Sequence, residues 1–186
     1  SNDKYRRVIW QCNHKFQGKK CETPHLTEDE IKAAFVTAFN RLFESRNEIL
    51  ANIKMVQAEI CNTEDLETER DKLAREMQVV SEMAKNAIRK NAAVAQDQNE
   101  YQKRYDELVK QYEDTKAAYE KTVEQIESMT ARNSLLNSFS KELCKQENIL
   151  TEFDEGLWGS LVDFMTVHSK EDIEVTFKDG MTIRIV

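Results

Sequence analysis

The strongest pattern in the chain is a stripe of apolar residues that recurs every three to four positions through its middle. In the first arm the stripe contains Leu66, Arg70, Leu73, Met77, Val80, Ala84 and Ala87, of which Arg70 is the one charged member. In the second arm it contains Tyr101, Tyr105, Leu108, Tyr112, Thr115, Tyr119, Thr122, Ile126 and Met129. The second series alternates steps of four and three, which is typical of a coiled-coil seam. It predicts an antiparallel coiled-coil hairpin over residues 61–133 that reverses direction within residues 91–98.

A second helical pattern precedes the hairpin. Thr27 and Glu30 have the spacing of a capping box, in which each side chain satisfies a backbone N–H of the first turn. The apolar residues that follow predict one long amphipathic helix, and their aromatic members are expected in a core rather than around a cofactor. These residues are Ile31, Phe35, Phe39, Leu42, Ile49, Ile53, Val56 and Ile60.

Strand patterns occur near both ends of the chain. Residues 5–12 alternate as a strand does, and strand signals reappear from Met165 onward. Between these segments Asp154 is placed to cap a short helix, while Asp179 and Gly180 form a two-residue hairpin turn. Because a single β-hairpin is not stable alone in water, we expect the C-terminal hairpin to pack on the strand at residues 5–12.

These elements predict a mainly α protein with a small β part, in which a long antiparallel coiled-coil hairpin projects from a small α+β base. Residues 1–60 would form part of the base and the long helix, residues 61–133 the hairpin, and residues 134–186 a return segment that packs on the base. The chain has only 4 Gly and 1 Pro against 33% charged residues, and no apolar run is long enough to span a bilayer. We therefore expect a cytoplasmic protein without a membrane partner.

Charge is unevenly distributed along the chain. The net charge of −7 divides into +2 for residues 1–60, −4 for residues 61–133 and −5 for residues 134–186. The first 25 residues contain two acids and six bases, namely Lys4, Arg6, Arg7, Lys15, Lys19 and Lys20. A basic lobe on an acidic chain is compatible with a phosphate-contacting face and equally with an ordinary solvated loop.

Catalytic motifs are missing from the sequence. The serines are not in a Gly-x-Ser-x-Gly elbow, the four glycines form no phosphate loop, and the three histidines fall in predicted loops or strand ends. The sequence therefore predicts no catalytic site in this chain.

The four cysteines allow two interpretations of a metal site. Cys61 and Cys144 lie in helical sequence and are expected to be buried thiols, whereas Cys12 and Cys21 flank a Lys- and Gly-bearing loop. A zinc ribbon needs four ligands, and these two cysteines supply one pair. Either His14 and His25 complete an unusual site, or the other pair lies upstream.

Three segments together resemble one protein family. Residues 7–12 (RVIWQC), the loop to Cys21 and residues 23–30 (TPHLTEDE) look like the second half of the zinc-ribbon domain of large serine recombinases. The segment that begins at Asp97 is similar to the second coiled-coil arm of that family. The segment from Leu157 to Gly180 resembles the part that returns to the ribbon after the coiled coil.

The resemblance implies a phage integrase or transposon recombinase of a bacterium or its phage, which cuts and rejoins DNA through a phosphoserine linkage. Its catalytic serine domain would lie upstream. The ribbon would bind double-stranded attachment-site DNA, and the coiled coil would contact other recombinase subunits and regulate synapsis. By position Cys12 and Cys21 match the second ligand pair, so zinc is expected in the intact parent protein and not in this chain alone.

Two sets of candidate site residues follow. The expected DNA contacts are Arg6, Arg7, Lys15, Lys19 and Lys20, and the expected subunit contacts at the hairpin end are Ala92, Ala93, Val94 and Ala95. The main alternative is a coiled-coil scaffold or adaptor without a nucleic-acid role, and a metal-dependent enzyme is a third hypothesis.

Overall fold

The computed structural model describes residues 7–11, 15–16, 19–20, 23–59 and 62–186. It is mainly helical with a small antiparallel β part, which confirms the predicted fold class. The chain divides into two compact units: Ser1–Gln57 with Ser134–Val186, and Ala58–Asn133. Among the described residues, no helix is both long and apolar enough to cross a membrane.

The unit Ala58–Asn133 is built from α3 (Glu64–Ala93) and the first part of α4 (Gln98–Lys145). The predicted seam positions are the ones withdrawn from solvent: Leu73, Val80, Leu108 and Thr122 are buried, and most of the others are half-buried. Arg70, also half-buried, lies close enough to Tyr119 for the two to interact electrostatically. The two helices therefore bury matching 3.5-residue stripes, as a coiled coil does.

Helix α1 (Glu28–Glu44) begins at the predicted capping box. The Glu30 backbone N–H donates to Thr27 Oγ1 at 3.2 Å, and the Thr27 backbone N–H donates to Glu30 Oε2 at 2.6 Å. These hydrogen bonds hold the pKa of the Glu30 carboxyl below its usual range, mainly through the Thr27 backbone N–H. The capping box thereby satisfies the backbone N–H groups of Thr27 and Glu30 locally.

The long helix predicted over residues 31–60 is two helices, and that prediction was wrong in its continuity. Helix α1 ends at Glu44, Ser45 takes a non-helical conformation (φ −99°, ψ 12°), and α2 (Arg46–Glu59) follows. The Ser45 backbone N–H donates to the Leu42 and Phe43 carbonyls, which tightens the last turn of α1. Such a break needs no Gly or Pro, because a tightened last turn satisfies the helix end by itself.

The C-terminal sheet has three strands in the order β5 (Val162–Val167), β6 (Ile173–Phe177) and β7 (Thr182–Ile185), all antiparallel. The turn between β6 and β7 has Gly180 at φ 97°, a conformation that suits glycine. The alternation predicted for β6 is confirmed, since Ile173, Val175 and Phe177 are all buried. The preceding short helix, α5 (Glu155–Leu161), begins where Asp154 accepts a hydrogen bond from the Leu157 backbone N–H at 2.8 Å.

The C-terminal hairpin was expected to pack on a strand at residues 5–12, but it does not pair with the described part of that segment. The sheet instead takes β5 as its third strand, which begins at Val162 rather than Met165. Within the described part of the N-terminal segment, β1 (Ile9–Trp10) pairs with β4 (Leu26–Thr27). The hairpin is thus completed by β5, which is its neighbour in sequence. Closing this short loop costs less conformational entropy than pairing with residues 5–12 would.

The core of the unit that contains α1 joins distant parts of the chain. Its largest fully buried side chains come from α1, the end of α4, α5 and β6, and they include Phe35, Phe39, Phe139, Leu143, Leu161 and Phe177. Helix α1 also contacts β6 and β7. Cys144, expected to be buried, is an exposed free thiol because its neighbour Leu143 occupies the core-facing position.

Candidate nucleic-acid interface and subunit-contact site

A short β-ribbon contains three of the five basic residues that were predicted to contact DNA. Strands β2 (Lys15–Phe16) and β3 (Lys19–Lys20) are antiparallel, with Lys15 opposite Lys20 and Phe16 opposite Lys19. Directly opposed residues in an antiparallel pair lie about 5 Å apart. The backbone register therefore brings Lys15, Lys19 and Lys20 together within one ribbon.

Arg7 lies just before β1 and is exposed, whereas Arg6 lies outside the described residues. The segment is held in place by β4 and by the Glu28 backbone N–H, which donates to the Val8 carbonyl at 3.1 Å. The three residues after Arg7 are apolar and exposed: Val8 is 49% exposed, Ile9 56% and Trp10 59%. Basic side chains and exposed aromatic rings within one segment are common on surfaces that bind nucleic acid.

An open cleft of about 740 Å³ lies beside Trp10. Its walls come from β1, the connector before β4, α1, the start of α5 and β5; they include Trp10, Pro24, Ile31, Lys32, Phe153, Glu155, Trp158 and Met165. This cleft was not predicted: a core position was expected for the aromatic residues of α1, and no binding role for Trp10, Phe153 or Trp158. No local pattern marks it, since it forms where residues 10–11 and 23–32 meet residues 153–167, which are distant in sequence.

The floor of the cleft is an aromatic cluster with one cation above it. The rings of Phe153 and Trp158 meet the buried ring of Phe35 edge-on, at centroid distances of 5.6 and 5.3 Å. Lys32 Nζ lies 5.3 Å from the centroid of Phe153 and 2.8 Å from the Glu28 carboxylate. The hydrogen bond that Lys32 Nζ donates to the Glu28 carboxylate raises the pKa of Lys32. The cleft is thus an apolar surface on which a flat group can stack beside a charged amine.

The end of the helical hairpin is closed by side-chain amides. Asn91 Oδ1 accepts hydrogen bonds from Gln96 Nε2 at 2.8 Å and Gln98 Nε2 at 3.1 Å. Asp97 caps α4 by accepting from the backbone N–H groups of residues 99 and 100. These bonds fix the reversal without using the apolar residues between them.

The four residues predicted to contact another subunit all lie at this reversal. Ala92, Ala93, Val94 and Ala95 are exposed, and Val94 is 58% exposed. We call residues 92–95 the tip. Its small apolar surface is not covered by the described part of the chain.

The predicted metal ligands are not placed by the structure. Cys12, Cys21 and His14 lie outside the described residues, and His25 is exposed on the connector before β4. Among the described residues, no group of three or more His, Cys, Asp or Glu side chains is arranged to hold a metal ion. The zinc hypothesis therefore stays a prediction.

Comparison with protein-family models, with curated proteins and with solved structures finds no match for this chain. The family resemblance consequently depends on the residues of the chain itself.

Proposed function

We propose that this chain is the DNA-binding and subunit-contact portion of a site-specific large serine recombinase, which integrates or excises a mobile element. The observation that carries the proposal is the order of parts along the chain. A basic β-ribbon and a capped helix precede a long antiparallel helical hairpin, and a short helix and small sheet follow it. The family resemblance implies the same order.

In this proposal the β-ribbon and Arg7 contact the phosphate backbone of double-stranded attachment-site DNA. Lys15, Lys19 and Lys20 share one ribbon, and a two-stranded ribbon fits the major groove of B-DNA. Basic side chains that contact phosphates position a protein on the duplex. The DNA sequence is read by other groups, which reach the edges of the nucleobases. Catalysis belongs to the recombinase domain of the parent protein, and Cys12 and Cys21 hold half of its zinc site.

The tip then contacts other recombinase subunits. Its exposed alanines and Val94 offer a small apolar area, which suits a weak contact that forms and breaks during synapsis. The hydrogen bonds that Asn91 Oδ1 accepts from Gln96 and Gln98 support this role, because they hold the reversal in place while leaving the tip uncovered.

DNA binding by the chain itself tests the proposal. Duplexes from the region flanking the gene are titrated with the protein over a series of salt concentrations, with shuffled duplexes as the control. We expect binding whose logarithm falls linearly with the logarithm of salt concentration, since phosphate contacts release counterions. Failure to bind any duplex at low salt would overturn the proposal.

A coiled-coil scaffold or adaptor is the second candidate, and the acidity of the hairpin favours it. Residues 61–133 carry a net charge of −4, so this unit is repelled by nucleic acid. A scaffold would give no salt-dependent DNA binding and would still bind a protein partner through the hairpin. The same titration therefore separates the two candidates.

A further inference from the structure

The three-stranded sheet has two outer edges, and their surroundings differ. At one edge α1 lies against β7, and Arg41 Nη1 donates to the Arg184 carbonyl at 2.8 Å. At the other edge β5 pairs with β6 on one side, and the described part of the chain adds no strand on its outer side. In an antiparallel edge strand every second residue directs its backbone N–H and C=O away from the sheet. The outer edge of β5 can therefore accept another strand.

The cleft beside Trp10 runs along this edge. Met165, Thr166 and Val167 are successive residues of β5, and all three line the cleft. Successive side chains of a strand point to opposite faces of the sheet, so a cleft that touches all three lies against the edge of the strand rather than against one face. The backbone of β5 and the aromatic rings of Trp10 and Trp158 thus border the same open space.

The apolar floor of the cleft is continuous with the core. Ile31, Met165 and Val167 line the cleft and are each half-buried. They also pack against buried core residues of α1, β4 and β6. The side chains of an added strand would cover this floor, together with the rings of Phe153 and Trp158, and would withdraw more apolar area from water.

The charges at the cleft favour a basic occupant. Three of the fourteen lining residues are charged, namely Glu28, Lys32 and Glu155. Lys32 Nζ is already paired with the Glu28 carboxylate at 2.8 Å, and Asp29 and Glu155 also act on it electrostatically. Arg7, three residues before Trp10, is not part of the lining. One amine thus lies among three carboxylates, which attract a Lys or Arg side chain and repel a phosphate.

We propose that the cleft binds an extended, basic segment of a partner protein, which adds to the outer edge of β5 as a fourth strand. The open edge selects an extended polypeptide, because such a segment supplies backbone partners along its length. Alternate apolar side chains of the segment face the floor, and a Lys or Arg side chain lies next to Glu155. The inference concerns β5 and the cleft rather than the β-ribbon or the tip, so it holds whether or not the chain binds DNA.

Intrinsic fluorescence of the full chain tests the site, because the two tryptophans of the chain, Trp10 and Trp158, both line the cleft. The probes are two capped octapeptides without aromatic residues, one alternating Val with Lys and the other alternating Val with Glu. We expect the Val/Lys peptide to change the fluorescence with a Kd below about 1 mM. The Val/Glu peptide should have no effect over the same range of concentrations.

Two pairs of variants locate the contact. Trp10→Ala should weaken binding of the Val/Lys peptide at least about fivefold, as reported by Trp158, because aromatic anchors supply much of the energy of an interface. Ile9→Ala is its matched control, since Ile9 is 56% exposed on the same strand and does not line the cleft. Glu155→Gln should also weaken binding, whereas Glu147→Gln, which removes an exposed charge outside the cleft, should not. Circular dichroism establishes that each variant keeps its fold.

Backbone methylation tests the addition of a strand. Two further versions of the Val/Lys peptide are N-methylated, one at every Val and the other at every Lys. An added strand directs the N–H groups of alternate residues toward β5, so one version should lose binding and the other should keep it. A peptide held only by its side chains or its charge would not distinguish the two versions in this way.

Four results would overturn the inference. The first is an unchanged fluorescence with the Val/Lys peptide at about 1 mM, or an equal response to the Val/Glu peptide. The second is an equal effect of the cleft variant and its control in either pair. The third is two methylated peptides that behave alike. The fourth is a fluorescence change with a DNA oligonucleotide and with neither peptide, which would make the cleft a stacking site for a nucleobase.

Discussion

Asn40 and Leu150, 110 positions apart in the chain, exchange two hydrogen bonds. The Asn40 amide Nδ2 donates to the Leu150 carbonyl at 2.9 Å, and the Leu150 backbone N–H donates to Asn40 Oδ1 at 2.7 Å. One side chain on α1 thus satisfies both polar groups of a loop residue. The pair fixes the segment that leads from α4 to α5 against α1.

Replacing Asn40 with Ala should therefore destabilise the protein by about 1–3 kcal/mol, because two partly buried backbone groups lose their partners. The free energy of unfolding from urea titration measures this change. Asn86→Ala, on an exposed position of α3, is the control and should be neutral or slightly stabilising, since Ala has the higher helix propensity. A loss of the same size in both variants would contradict a special role for Asn40.

The ion pair of Asp172 with Arg184 gives a pH-dependent contribution to stability. Arg184 Nε donates to Asp172 Oδ1 at 2.6 Å, and this hydrogen bond holds the pKa of the Asp172 carboxyl below its usual range. A lowered pKa means that the stabilisation is complete above the unfolded-state pKa of about 4. It is lost as the pH falls through the lower folded-state value.

We expect wild type to melt at a higher temperature than Asp172→Asn at neutral pH, and the difference to shrink as the pH falls below about 4. Thermal melts from pH 7 to the acid limit measure both. A difference that stays constant into acid would show that the Asp172 carboxylate does not stabilise the fold through its charge.

Neutralising the β-ribbon tests the DNA contact. The double variant Lys19→Ala and Lys20→Ala should weaken binding and reduce the slope of log affinity against log salt by about one unit for each phosphate that it no longer neutralises. Lys103→Ala with Lys110→Ala removes the same charge from the hairpin and should change neither quantity appreciably. If the two double variants behave alike, the ribbon is not the contact.

Zinc content tests the assignment of Cys12 and Cys21. If these cysteines are half of a four-cysteine site, the present chain should purify with little zinc, and a longer version that includes the upstream pair should hold about one ion per chain. Elemental analysis by mass spectrometry measures this ratio. Stoichiometric zinc in the present chain would contradict the upstream pair and favour His14 or His25 as ligands.

The tip is tested by Val94→Glu. Because Val94 is exposed and makes no core contact, the substitution should barely change thermal stability or binding to a single attachment site. It should impair the pairing of two attachment sites by the full-length enzyme, whereas Val94→Ala, which keeps the position apolar, should have a smaller effect. Normal synapsis and recombination by Val94→Glu would exclude a subunit contact through this residue.

The coiled coil could be predicted because its information is local. The seam residues repeat at 3.5-residue spacing, and Leu73, Val80 and Leu108 are buried as that spacing requires. The cap at Thr27 depends on residues three positions apart, and this prediction was confirmed. The turn at Gly180 lies where it was predicted, but the two-residue length was wrong: the Gly180 backbone N–H donates to the Phe177 carbonyl at 2.9 Å, so the loop has three residues, 178–180.

The errors concern features that local patterns do not encode. The helix break at Ser45 has neither Gly nor Pro, and the residues on both sides keep helical spacing. Pairing of β1 with β4 is non-local and involves two residues in each strand, too few for an alternation to show. The cleft beside Trp10 depends on how five segments pack, so only the folded structure reveals it.

The heptad spacing has a consequence for how this hairpin can change in length. Adding seven residues to each arm extends it by about 10 Å while returning every following side chain to almost the same face. Adding three or four residues would instead turn the far end around the axis of the pair. The closure at Asn91 belongs to the reversal alone and tolerates either change. Evolution can therefore adjust the distance that this arm reaches in whole heptads, without redesigning what it carries at its end.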